Sequence, residues 1–176
     1  MSTEVKPMTE AQLPFELGAN NASSSIAILS KPSDRAVADG ETDPFNWMDL
    51  RNVRKNFSLL LDAGEVVLET AEATLVLSYP LNIAAACSIR PADGKSFTRG
   101  ELVRLINETY EEVYRLEANS QSSPTPPVHE RGTLINRPES DGMFGIWGHD
   151  LDDLGISKID VYRIDGRVWL DPDMVS

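Results

Sequence analysis

Between Gly132 and Leu154 the chain reads GTLINRPESDGMFGIWGHDLDDL, and its chemistry-bearing side chains gather there. Asn136 and Arg137 stand together ahead of Pro138. Gly142, Gly145 and Gly148 recur at every third position and bracket Phe144, Ile146 and Trp147. His149 and Asp150 follow at once, with Asp152 and Asp153 just beyond. An imidazole beside carboxylates supplies the N and O donors of a divalent cation, and a carboxylate is the usual partner of a ligating histidine's second nitrogen. On that chemistry Asn136, Arg137, Trp147, His149, Asp150 and Asp153 are candidate ligand-binding residues of a metal-assisted hydrolase or small-ligand domain. A structural reading competes with it: Asp150 or Asp152 caps a short turn, Leu151 and Leu154 point inward, and the glycines let the loop pass close under a helix.

Sharper signatures are missing. There is no H-E-x-x-H, EF-hand spacing or C-x-x-C, so no metal-ligand motif is present, and His129 is the only other histidine. The glycines do not form a G-x-G-x-x-G after a strand, no Walker lysine follows them, and no G-x-S-x-G occurs. The single cysteine, Cys87, lies in the apolar run IAAACSI, where a small buried hydrophobe is expected and an internal disulfide is impossible. No cofactor is specified, and the chain carries no recognisable catalytic signature.

The element best placed to position that loop is an amphipathic helix over 98–117. Thr98 and Glu101 have the spacing of a capping box, and Phe97 and Leu102 that of a hydrophobic staple. Leu102, Val103, Ile106, Tyr110, Val113, Tyr114 and Glu117 fall on one face, with Arg99, Glu108, Glu111, Glu112 and Arg115 mostly opposite. Strand patterns surround it. Glu65–Glu69 and Ala73–Tyr79 read as one hairpin ended by Pro80. Ile156–Ile164 and Arg167–Leu170 read as another, joined by Asp165-Gly166 and ended by Pro172. Leu81–Ile89 is a strand or, given its alanines, a short helix. The expected fold is α+β: an antiparallel sheet of two hairpins, four to five strands, packed against one long amphipathic helix.

Two further segments frame this domain of 45–176. Residues 1–44, with an Asn-Ala-Ser run and scattered prolines, read as a disordered acidic tail in which only Ile26–Leu29 is strand-like. SQSSPTPP, within 120–128, reads as a proline-rich linker. From Asp43 to Phe57 a short helix is expected, with Trp47, Leu50, Val53 and Phe57 along one side. Phe45 and Trp47 are then candidate partner-binding residues, in the manner of a helix docked in a groove.

Sixteen basic against 28 acidic residues give a net charge of −12 over 176 residues. That balance argues against nucleic acid and against an anionic membrane surface, both of which call for clustered Lys and Arg. Arg51, Arg54 and Lys55 are too few to reverse it. No apolar window is long enough to span a bilayer and no signal sequence is seen, so an intracellular location, cytoplasmic or nuclear, is expected.

FTRGELVRLINETYEEVY, followed by NRPESDGMFGIWGHDLDDLGISKIDVYR, resembles a family of small uncharacterised proteins of plants and protists. Its pattern is an FTR-x-EL helix, a linker, a GIWGHD-x-x-DL segment and a final hairpin. The resemblance covers about residues 73 to 170 and lends weight to Asn136, Arg137, Trp147, His149 and Asp150 without implying an activity or a cofactor. The function expected is a non-catalytic protein-interaction module whose partner is another protein. The alternative is a metal-assisted hydrolase or small-ligand-binding domain using the 132–154 loop.

Overall fold

The computed structural model describes residues 4–17, 21–51, 53–132 and 136–176. Met1–Thr3 and Gly18–Asn20 of the expected tail, and Thr133–Ile135 of the candidate loop, lie outside them. In chain order the elements are β1 (Lys6–Met8), β2 (Ser24–Ala27), α1 (Asp34–Ala38), β3 (Met48–Asp49), α2 (Val53–Asn56), β4 (Val66–Glu69), β5 (Ala73–Leu77), β6 (Ala84–Ile89), β7 (Ser96–Thr98), α3 (Arg99–Ser120), β8 (Gly155–Ile164) and β9 (Arg167–Val175).

Helix α3 starts where the sequence places it. Thr98 is the N-cap, its Oγ1 accepting from the Glu101 N–H at 3.2 Å, and Phe97 and Leu102 are fully buried together. The second half of the capping box is not made. Glu101 turns its carboxylate instead to the Ala92 N–H at 2.6 Å, in the turn before β7. Leu102, Val103, Leu105, Ile106, Tyr110 and Val113 form the buried stripe. At about 2 kcal/mol for each large apolar side chain removed from water, that stripe is the main force docking the helix.

The surface it meets is larger than two hairpins. Among the described residues, seven strands make one sheet, in the order β1–β6–β5–β9–β8–β2, with β3 pairing β8 as well; β4 and β7 form a separate two-stranded ribbon. The fold is mixed α+β, and the sheet is mixed rather than antiparallel, because β5 and β9 run parallel through Thr74↔Trp169 and Leu75↔Leu170. The expected hairpin of 65–69 with 73–79 does not form. β4 pairs β7, as Leu68 joins Phe97 under the helix start, and β5 pairs β6 and β9 instead. The final hairpin does form, with Asp165 and Gly166 both at positive φ. Pro172 does not end it: β9 runs on to Val175, since its other partner β5 is registered only as far as Leu170 and asks no N–H of Pro172.

The segment expected as a disordered tail supplies structure where it is described. β2 pairs β8 from Ser24↔Val161 to Ala27↔Lys158, β1 pairs β6, and Ile28 is fully buried. Val5 and Ile26, beside and within the strands that pair with β6 and β8, are buried. The sheet is covered on both faces. Leu75, Leu77, Ala85, Ile89, Val161 and Leu170 share one buried cluster with the α3 stripe, while Val76, Ala84, Ala86, Tyr162 and Trp169 form a second with Phe15. Phe15 stacks on Tyr162 with ring centroids 4.0 Å apart. No helix among the described residues is long and apolar enough to cross a membrane.

Candidate functional site

The helix expected from Asp43 begins only at Val53. Before it, Phe45 bridges Ser30 and β3 pairs β8 through Met48↔Ile156 and Asp49↔Gly155. Extended backbone alternates its side chains, so Met48 is buried while Trp47 stays 38% exposed. The Phe45 ring lies 5.9 Å from the Trp47 indole. This pairing carries Trp47, Asp49 and Arg51 alongside the turn at 152–155. The Arg51 guanidinium donates to the Asp152 carbonyl oxygen at 3.0 and 2.8 Å and comes within 3.9 Å of the Asp153 carboxylate.

The 136–154 loop is held by a buried carboxylate. Glu117, the last member of the helix stripe, is fully buried; its Oε1 accepts from Ser140 Oγ at 2.5 Å and from Gly142 N at 2.9 Å, and its Oε2 from Phe144 N at 2.7 Å. Burial pushes its carboxyl up, but these donors outweigh burial and hold it below the ordinary carboxylate range. Gly142 is required here, since a Cβ would sit 2.5 Å from Glu117 Cδ. Farther along, Arg137 and Gly148 exchange backbone hydrogen bonds of 3.1 and 3.0 Å, which sets Asn136 beside His149.

Asp150 is committed elsewhere. Arg131 grips it with bonds of 2.6 and 3.0 Å and Arg137 adds one of 3.2 Å, the two guanidinium side chains being only 5% and 9% exposed. The Arg131 bonds, and behind them those of Arg137, hold the Asp150 carboxyl low against its burial. Arg137 also lies over the Tyr114 ring at 5.3 Å, and Tyr114 Oη donates to the His149 carbonyl oxygen at 2.9 Å. Asp150 stands at the N-cap of a short turn, Leu151–Asp153, its N–H bonded to Asp153 Oδ2 at 3.0 Å, and Leu154 is buried. Among the described residues, no three of His, Cys, Asp and Glu are grouped so as to hold a metal ion.

Between the two segments lies an open cleft of about 560 Å³. Trp47, Asp49 and Arg51 line one side; Asn136, His149 and the 152–155 turn line the other, with Val175 and Ser176 alongside. Of the sequence-derived candidates the cleft thus brings together Asn136, His149, Asp153 and Trp47. It leaves out Arg137 and Asp150, which form the ionic knot behind His149. Phe45 stands behind Trp47. Trp147 joins a neighbouring aromatic group: its ring is 5.2 Å from Tyr79, edge-on, and 6.4 Å from His149, while Tyr79 is 5.7 Å from His149. Sequence reasoning missed Asp49, Arg51 and Tyr79. Only strand pairing brings the first two to the loop, and Tyr79 arrives because Trp147 N bonds the Pro80 carbonyl oxygen at 3.1 Å.

No protein-family model, curated protein or solved structure matches the chain.

Proposed function

We propose that this chain is a non-catalytic protein-interaction module whose contact surface is the cleft that Trp47 and His149 share. The observation that carries the reading is that residues from two distant segments, 47–51 and 149–155, are held by β3 pairing and by Arg51 around one open cleft with an exposed indole on its wall. Aromatic side chains at the edge of a concave surface are the usual anchors of protein contacts. Two of the carboxylates at the loop are already engaged, Asp150 by two arginines and Glu117 by the loop's own hydroxyl and amide donors. The resemblance to the plant and protist family belongs to the same proposal, its GIWGHD-x-x-DL string covering the His149 wall.

The test is affinity capture with the full chain and with Trp47→Ala, alongside thermal unfolding of both. Proteins held by the wild type and lost from a variant that still unfolds cooperatively within a few degrees of it support the reading. Identical capture by both chains removes the cleft as the contact surface.

One observation favours a second reading. A volume of about 560 Å³ lies within the range of small-molecule sites. A small ligand at a hundred times its dissociation constant adds about 2.7 kcal/mol to stability, so a thermal screen of nucleotides, sugars and organic acids separates the two.

A further inference from the structure

We infer, resting on the reading of the cleft as a protein contact, that its occupant is an extended basic peptide carrying a Lys or Arg with an apolar side chain two residues away. The charges lining the cleft are unequal. Asp49, Asp152 and Asp153 face a single guanidinium, and Arg51 is already engaged by the Asp152 carbonyl oxygen, the Asp153 carboxylate and, through its own N–H, Asp49 Oδ1. The Asp152 carboxylate is bonded to no described residue. A cation entering here meets the Asp49, Asp152 and Asp153 carboxylates and the partly exposed Trp47 indole within one cleft, the pairing that recognises ammonium and guanidinium groups. A second copy of this chain, itself at −12, is the occupant the field rejects, whereas a basic partner is drawn in.

The spacing follows from the aromatic group next door. His149, on the cleft wall, lies 6.4 Å from Trp147, whose indole is 37% exposed. An extended chain advances about 3.3 Å per residue and returns to the same face every second residue. A peptide residue set against His149 in the cleft therefore places the side chain two positions away at Trp147. Ile83 and Met143 are also exposed, and Ile83 N bonds the Phe144 carbonyl oxygen in the same loop.

The experiment is selection of a randomised twelve-residue peptide-display library on the full chain, with Trp47→Ala and the double variant Asp49→Asn, Asp152→Asn as counter-selections. Each selected sequence is then titrated into isotope-labelled wild-type protein. The expected result is enrichment of Lys or Arg with an apolar residue at the second position away, binding that shifts the Trp47 and Trp147 indole signals, and at least tenfold weaker binding to the double variant with a flatter salt dependence. Enrichment of neutral or acidic peptides at the same indoles overturns the basic-peptide inference and leaves the cleft standing as a contact surface. No Trp47-dependent enrichment at all also overturns it. The capture experiment then decides whether the cleft reading falls too, since a Trp47-dependent partner without a peptide equivalent defeats this inference alone. Both variants unfold cooperatively within a few degrees of the wild type if the test is sound, and Asp153→Asn, expected to weaken basic peptides in the same direction, replaces the double variant if that protein unfolds.

Discussion

Glu117 Oε2 accepts a hydrogen bond from the Phe144 N–H at 2.7 Å, and through that bond the last turn of the long helix dictates the course of the loop that builds the cleft. The carboxylate is buried, and its other oxygen serves Ser140 and Gly142. Glu117→Ala leaves several donors without an acceptor, each costing about 1–3 kcal/mol when buried, so a loss of roughly 3 kcal/mol or more is expected in urea unfolding. Glu117→Gln keeps the shape and loses the charge. Because the folded carboxyl is held low, the wild type gains stability above the unfolded-state pKa of about 4.3 and loses it as pH falls through the folded value. The Gln variant should be weaker near neutrality and show a shallower acid limb. An acid limb as steep as the wild type's would assign that transition to other carboxylates.

That relationship also marks what the sequence could and could not disclose. Glu117 falls on the apolar stripe by periodicity, yet a charge on a helix face normally reads as solvated, and only the loop folded beneath it reveals an acceptor for backbone donors. Gly142 was legible as a close-approach glycine, and its missing Cβ indeed faces Glu117. Helix α3 and the β8–β9 hairpin were legible because cap, stripe and turn residues all agree locally. The β4–β7 ribbon, the parallel β5–β9 contact and the β1 and β2 edges were not, since they join segments that no short-range pattern links. The same holds for the cleft. His149, Asn136 and Asp153 stand out in a polar, glycine-rich loop, but Asp49 and Arg51 reach it by strand pairing alone.

Asp150 is expected to be structural and His149 not. Removing Asp150 leaves the Arg131 and Arg137 guanidinia facing one another in a partly buried site, and breaking such a pair costs about 3–5 kcal/mol. His149 contributes to the fold through its backbone, its carbonyl accepting from Tyr114 and its N–H bonding the Trp147 carbonyl oxygen at 2.8 Å. His149→Ala should therefore cost about 1 kcal/mol or less. Equal losses in the two variants, measured by urea denaturation at pH 7, would contradict this division.

Trp47 and Met48 make a matched pair for separating contact from core. Met48 is 2% exposed and belongs to the main cluster, so Met48→Ala should lose about 3 kcal/mol. Trp47 is 38% exposed and its structural bond, accepting from Ser30 Oγ at 2.6 Å, uses the main-chain carbonyl, which substitution leaves in place. A loss of about 1 kcal/mol is expected for Trp47→Ala. Thermal midpoints of the two variants side by side check the contrast, and a Trp47 loss as large as that of Met48 would make the indole a core group.

Asp171 should give the fold an opposite pH dependence to that of Glu117. It is buried on β9 directly across from Asp160, with Asp173 farther along the strand. Burial raises its carboxyl to about 7, Asp160 and Asp173 adding to the shift and Lys158 opposing it. Lys158 itself is paired to Asp160 at 2.6 Å, which limits its help. The folded chain then holds a proton that the unfolded chain has released between about pH 4 and pH 7, so stability falls as pH rises through that window, by at most on the order of 4 kcal/mol. Glu117 and Asp150 act at lower pH and in the other sense, which keeps the two effects apart. Asp171→Asn preserves the shape without the titrating proton. Urea midpoints at pH 5, 6, 7 and 8 should decline for the wild type and stay level for the variant, the variant being the more stable protein at pH 8. A parallel decline in both would transfer the effect from Asp171 to another group.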